Sequence, residues 1–338
     1  MATIKDVAKL AGVGVGTVSR SMSVNQSVSD KSRQKIKVAM EALNYRPNSM
    51  ARSLSSKKSN IIGLWVPSFS GSFHRKMLQT IEEELRQKGK HIILANAEGA
   101  NTDEERIKCL DYLIERDCDG ILMSCPELSL VELAKIASRY PNILFLNRSL
   151  PEPNKNFFSI NHYAGGRLAA EHLVGLGHTE FAIITGRMSA QDAQNRHQGF
   201  IDYLLEKGIT VDPELIIFGG YKFTQGTLAV KELLGKNKPF SALFCGNDKS
   251  AMAAISILHS KGIQVGKEVS VVGYDDIDIA AYTAPALTSV HAPIESLSRN
   301  ACHKILNLCY GENLPVETQF EPHLVVRKSS HSVNTIKK

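Results

Sequence analysis

Residues 3–23 read TIKDVAKLAGVGVGTVSRSMS. Ile4, Val7, Ala8 and Ala11 recur at three- and four-residue steps and so line one face of a short helix. Gly12 stops that helix, because glycine enters the left-handed conformation without a Cβ clash. Val13 packs back across the turn, and a second short helix runs through Thr17, Val18 and Met22. Two short amphipathic helices joined by a glycine turn make either a plain helical hairpin or a helix-turn-helix, whose second helix enters the major groove of DNA; the features that follow favour the latter. Here that helix presents Val15, Gly16, Thr17, Ser19 and Arg20, which are small, hydroxylated or basic and can approach base edges.

Charge is concentrated around the same stretch. Of a formal net charge of +6, residues 1–60 carry eleven Lys/Arg against three Asp/Glu, and the remainder carries 29 against 31. A small basic head on a near-neutral body is the footprint of a polyanion-binding module. Apolar content of 43% and charged content of 22% fit a soluble globular protein, and 338 residues fit more than one domain. No apolar run reaches transmembrane length and no signal-peptide core opens the chain, so a cytoplasmic location is expected. Cysteines at 109, 118, 125, 245, 302 and 309 form no C-x-x-C pair, which predicts free thiols and no zinc site.

A third helix is predicted over residues 30–44. Ser29 or Asp30 caps it, and Ile36, Ala39, Met40 and Leu43 form its apolar stripe. Its Lys31, Arg33, Lys35 and Lys37 suit phosphate contacts, which add affinity but read no sequence. Tyr45-Arg46-Pro47-Asn48 then breaks that helix, and residues 48–56 hold one or two helical turns, too short to stand alone. The motifs T-I-x-D-V-A-x-x-A-G-V-x-x-x-T-V-S-R and Y-R-P-N-x-x-A-R-x-L resemble those of the LacI/GalR family of bacterial repressors. That resemblance implies that Val15, Gly16 and Arg20 read operator bases, and that Thr17, Ser19, Ser29, Tyr45 and Asn48 hold the DNA backbone. It adds Thr3 and Ala51 to the DNA-contacting set, and implies that Leu54 wedges into a minor-groove step and bends the duplex. The chain departs from the family at Gly14, where Ser or Thr usually caps, at Gly16, and at Ser21-Met22-Ser23.

From residue 61 the periodicity changes. Strand-length apolar runs at 61–67, 91–97, 120–124 and 143–147 alternate with helical patterns at about 73–89, 103–116 and 129–140. The order repeats with strands at 181–185, 214–218, 241–245 and 269–273, and helices at about 163–177, 193–207, 224–235 and 248–262. This predicts an α/β body of two doubly wound parallel sheets, two lobes around a cleft, behind an all-α helix-turn-helix head. The body resembles the periplasmic sugar-binding fold. The resemblance implies three crossings between lobes, near residues 160, 291 and 322, with the helix at 293–310 returning to the first lobe. The expected organisation is a head at 1–45, a hinge at 46–59 and a body at 60–330. The first lobe takes about 60–160 and 292–321, the second about 161–290 and 322–330, and a disordered tail follows at 331–338.

Ligands of such sheets bind outside the carboxyl ends of the strands. Polar side chains gather there: Asn147 and Arg148, Tyr221, Asn247 and Asp248, Asp275 and Asp276, with Arg196 on a following helix. Carboxylates accept from sugar hydroxyls, Arg and Asn bridge neighbouring oxygens, and a ring such as Phe73 or Tyr221 covers an apolar sugar face. The family resemblance assigns effector contacts to Phe73, Asn147, Arg196, Tyr221, Asn247 and Asp275. Loop caps and surface ion pairs are the competing roles, above all for Asn247 and Asp276; at Asn161 the family usually has Asp. His178 is expected to cap the C-terminal end of the helix before it.

No Ser or Cys nucleophile stands beside the one candidate base, His197, and nothing completes a metal site at Asp275-Asp276. A regulator is therefore favoured over an enzyme or a transport protein: a homodimer on double-stranded operator DNA, with no cofactor or metal and a small-molecule effector, a hexose or glycoside.

Overall fold

In the computed structural model, which describes residues 2–22, 28–45, 58–69, 71–100, 102–125, 128–149 and 155–333, helix α1 spans Ile4–Ala11. Thr3 and Asp6 cap it reciprocally, and Gly12 closes it at φ +64°. Helix α2 spans Val15–Ser21 behind Gly14, which has no side chain with which to cap it. Helix α3 spans Asp30–Ala42, and the Ser29 hydroxyl accepts from the Ser32 amide at 3.4 Å. Val7, Ala8, Ala11, Val18, Ile36 and Ala39 close into a small core, with Val13, Met22, Met40 and Tyr45 half-buried against it. The chain divides into two compact units, Met1–Asn60 and Ile61–Lys338.

The second unit holds two six-stranded sheets. Strands β1 (Ile61–Val66), β2 (His91–Asn96), β3 (Gly120–Met123), β4 (Ile143–Leu146) and β5 (Phe157–Ile160) alternate with helices α4 (Ser72–Gln87), α5 (Asp103–Glu115) and α6 (Leu130–Arg139). The chain then crosses into α7 (His162–Gly175), β6 (Phe181–Thr185), α8 (Gln191–Glu206), β7 (Ile216–Phe218), α9 (Phe223–Gly235), β8 (Ala242–Cys245), α10 (Asp248–Ser260), β9 (Ser270–Asp275) and β10 (Thr288–His291). Helix α11 (Ile294–Tyr310) and β11 (Gln319–Phe320) return to the first sheet, and β12 (His323–Val325) joins the second. The strand orders are β11-β5-β4-β3-β1-β2 and β12-β10-β9-β8-β6-β7. Every pairing is parallel except β10 with β12. The inner strands are almost wholly buried on both faces (IIGLWV of β1, FAIIT of β6), as continuous apolar runs in a helix-covered parallel sheet require, while the edge strands β2 and β12 keep exposed or half-buried residues.

Two expectations change. The tail does not loosen at residue 331: the His331 amide donates to Ser270 Oγ at 2.9 Å and the Val333 amide donates to the Leu176 carbonyl at 3.0 Å. Its backbone amides find a buried hydroxyl and the carbonyl of a half-buried residue instead of water; residues 334–338 lie outside the described residues. His178 does not cap a helix with its ring. The Nε2 donates to the His331 carbonyl at 3.1 Å and Nδ1 meets Ser241 Oγ at 2.9 Å, so the ring fastens the C-terminal segment to the second sheet.

Candidate functional site

A cleft of about 260 Å³ opens between the two sheets. Phe73, Asn147, Arg196, Tyr221, Asn247 and Asp275, six residues from five separate strand ends and helices of the body plus the start of α4, all line it. The volume lies just below the roughly 300–1,000 Å³ typical of small-molecule sites.

Arg196 is the organising side chain. It sits in the second turn of α8 and is 3% exposed. Its Nη1 donates to the Gly246 carbonyl at 2.7 Å and to Asp275 Oδ1 at 3.2 Å, and its Nη2 donates to Asp192 Oδ2 at 3.4 Å. The guanidinium lies 3.9 Å from the centroid of the Tyr274 ring, so its other face is covered by an aromatic. The neighbouring Asp275, Asp192 and tyrosines keep it charged despite its burial.

The carboxylates divide by role. Asp275 ends β9 at φ +100°, a conformation that strains a residue with a Cβ and is held only because its surroundings enforce it. Burial pushes its carboxyl up to about 6, against the pull of Arg196. Asp192 is reached from Arg196 by one helical turn and also accepts from the Tyr221 hydroxyl at 3.3 Å; its Oδ1 is buried with no hydrogen-bond partner among the described residues. Asp248 is wholly buried, accepts from the Ile277 amide at 2.7 Å and from Ser289, and is pushed well above the ordinary carboxylate range by burial. Asp276 turns away to Arg327 at 2.7 Å and His291 at 3.1 Å. Adjacent in sequence, Asp275 and Asp276 therefore serve different partners and do not form a chelating pair. Among the described residues no cluster of His, Cys, Asp and Glu has a metal-binding arrangement.

Asn247 combines both of its expected roles. Its Oδ1 caps α10 at Ser250, and its Nδ2 holds the Tyr221 carbonyl at 3.2 Å, so it shapes the cleft while lining it. Asn147, at φ +57°, accepts from His162 at 2.7 Å. Asn161 caps α7 at Ala164 and donates to Glu321, leaving it at the crossing. Phe73 meets His74 edge-on at 5.4 Å, and burial lowers His74 to about 4, which keeps its ring neutral near pH 7. Reading the residues in order missed Asp192, His162 and Tyr274. The four-residue step from Asp192 to Arg196 was the available signal for the first; the other two are brought in only by tertiary contact.

In the first unit, Val15, Gly16, Ser19 and Arg20 are exposed along α2, with Thr17 half-buried and 3.5 Å from the Arg20 Nη2. Lys31, Arg33, Lys35 and Lys37 are exposed on α3. Thr3 and Ser29 are engaged as helix caps, and Tyr45 is half-buried on the core. Asn48, Ala51 and Leu54 lie outside the described residues. No described helix is long and apolar enough to cross a membrane.

Comparison with known proteins places both units. A family model of bacterial regulatory proteins, lacI family, matches residues 3–48, and a periplasmic binding protein-like domain matches residues 170–330. The HTH-type transcriptional regulator GalR of Escherichia coli K12 is 34% identical over 99% of this chain and 96% of its own length. The Lac repressor dimer bound to operator and the anti-inducer ONPF superposes with a TM-score of 0.87, at 29% identity over 98% of this chain and 99% of that one. The transcriptional regulator CelR in complex with cellobiose superposes with a TM-score of 0.71, at 28% identity over 98% of this chain and 100% of that one.

Proposed function

The chain belongs to the lacI family of bacterial regulatory proteins, a DNA-binding regulator of transcription with an effector domain and not an enzyme, and on that premise we propose that it is a cytoplasmic repressor whose grip on its operator is set by a neutral sugar. Phe73, Asn147, Arg196, Tyr221, Asn247 and Asp275, with Asp192, hold the sugar. The observation that carries this is Asp192 Oδ1, a buried carboxylate oxygen without a hydrogen-bond partner among the described residues, beside Arg196 and Asp275 and within a cleft lined by the Tyr221 and Phe73 rings. A buried acceptor left unsatisfied costs about 1–3 kcal/mol, more when charged. A ligand hydroxyl recovers that cost by donating to Oδ1, whereas an ionised phosphate has no proton to donate there. The cellobiose bound by the similar CelR supports a carbohydrate.

The DNA arm of the proposal runs through Thr3, Val15, Gly16, Thr17, Ser19, Arg20, Ser29, Tyr45, Asn48 and Ala51, with Leu54 as the minor-groove wedge. A homodimer reads a pseudo-palindrome, since one small head contacts too little DNA for tight specific binding. Tyr282, 85% exposed, and the exposed Phe218, Leu228 and Ile279 offer apolar surface for pairing of the bodies.

Trp65, the one tryptophan of the chain, lines the cleft and reports on it. Its fluorescence is titrated with D-galactose, cellobiose, salicin, glucose 6-phosphate and hypoxanthine. A saturable response to at least one of the three neutral sugars, lost in Asp192→Asn, is expected. Response to hypoxanthine or the phosphate alone, or to none of the five, would overturn the sugar reading.

A further inference from the structure

We propose that His162 is a positioning residue that ties Arg196 in the second lobe to Asn147 in the first, so that the lobe angle and the guanidinium are set together. This goes beyond the reading of the cleft as the effector site and rests on it.

His162 is the first residue of α7, immediately after the chain leaves β5, and it is 3% exposed. Three hydrogen bonds meet on its ring. Nε2 lies 2.7 Å from Asn147 Oδ1, and Nδ1 lies 3.3 Å from Arg196 Nε and 3.0 Å from the Tyr274 hydroxyl. Arginine Nε can only donate, so Nδ1 accepts, the ring proton sits on Nε2, and Nε2 donates to Asn147. Burial, and then the charge of Arg196, hold the imidazole neutral, which preserves this single tautomer.

The partners belong to different bodies. Asn147 follows β4 of the first sheet, and its positive φ aims its amide at the ring. Arg196 and Tyr274 stand on α8 and β9 around the second sheet. Gly165 leaves room for the tyrosine, because a Cβ there would meet the Tyr274 hydroxyl and ring. Other bonds also bridge the lobes: Gln191 with the Ser149 backbone at 3.1 Å, and Arg75 with Asp278 at 3.8 Å. The Arg75–Asp278 pair is more than 70% exposed on both sides and can shift or exchange with water at little cost. The imidazole bridge is buried. Rotating the lobes apart takes Asn147 from the ring and leaves a buried donor unmatched, which is costly. A ligand that fixes Arg196 thereby fixes the ring, and the ring fixes the angle.

The test compares wild type with His162→Leu, which removes donor and acceptor, and His162→Gln, which carries one of each. Backbone hydrogen exchange is read by mass spectrometry in the ligand-free protein. His162→Leu is expected to speed exchange both at 143–149 and at 190–197, in two lobes at once, and His162→Gln to restore protection in both. With cellobiose as probe, His162→Leu is expected to weaken binding about tenfold or more, and His162→Gln by no more than about threefold. Exchange that rises only within α7, or in one of the two segments alone, overturns the proposal. So does His162→Gln behaving like His162→Leu. If wild type fails to bind cellobiose, that ligand is removed from the functional reading, while the ligand-free exchange pattern still decides for or against His162.

Discussion

Asp275 shows what a single residue contributes to this cleft. Burial pushes its folded carboxyl from the usual 3.8 up to about 6, outweighing the attraction of Arg196. Between those values the native state binds a proton that the unfolded chain has released, so this group's contribution to stability is greatest below the window and declines as pH rises through it. On the proposed sugar reading, effector affinity would run the opposite way, because sugar hydroxyls would donate to the ionised carboxylate. We predict that affinity for a bound sugar rises by about tenfold from pH 5 to pH 7 and that the dependence disappears in Asp275→Asn, measured by calorimetry at each pH. At this scale the sequence was legible where a charged residue ends an apolar run, as at Asp275, whereas Arg196 sits in the polar stretch QDAQNRHQGF and was placed at the cleft by the family resemblance. It was less so for Asn247, whose polar group is largely spent on a cap and on the Tyr221 carbonyl. His162 and Tyr274 carried no local signal, because a residue at a helix start and a tyrosine in a buried strand look the same whether or not a distant arginine meets them.

Helix α8 carries both Asp192 and Arg196, and its position depends on how closely α7 lies against it. Gly166 and Gly199 permit that approach: a Cβ on Gly166 would meet the backbone carbonyl of Arg196, and one on Gly199 the carbonyl of Tyr163. Backbone cannot give way as a flexible side chain can. Gly166→Ala is therefore expected to cost about 1–3 kcal/mol of stability, read as a fall in the unfolding midpoint, and to weaken sugar binding by displacing Arg196. Normal binding at normal stability would show that the helices have slack. Elements with long periodic runs were readable from sequence, including the eight principal strands and the helices between them. Strands β5, β10, β11 and β12 were not: FFSI and TSVH mix polar residues into their apolar ones, and β11 and β12 are only two and three residues long. Strand β12 also runs antiparallel, which a pattern of alternating strands and helices does not announce.

At the scale of the whole molecule, the excess positive charge lies in the first 60 residues, and the cleft lies in the second unit. The repetition of strand and helix makes two sheets legible in the sequence alone. The fastening of residues 331–333 was hidden, because its partners, Ser270 and Leu176, lie far away in sequence. A regulator built this way works only if occupancy of the second unit changes the affinity of the first, and that coupling must come from different sugar affinities in the DNA-bound and free states. The most direct measurement is fluorescence anisotropy of a labelled palindromic duplex taken from upstream of the protein's own gene, at fixed salt, with and without a sugar that answers in the Trp65 titration. The account predicts tight binding over a scrambled duplex, weakening as salt is raised, and a shift of tenfold or more in operator affinity when the sugar is added, by analogy with allosteric couplings of roughly 5–150-fold. Equal binding to both duplexes, or an operator affinity that stays constant while the cleft fills, would contradict it.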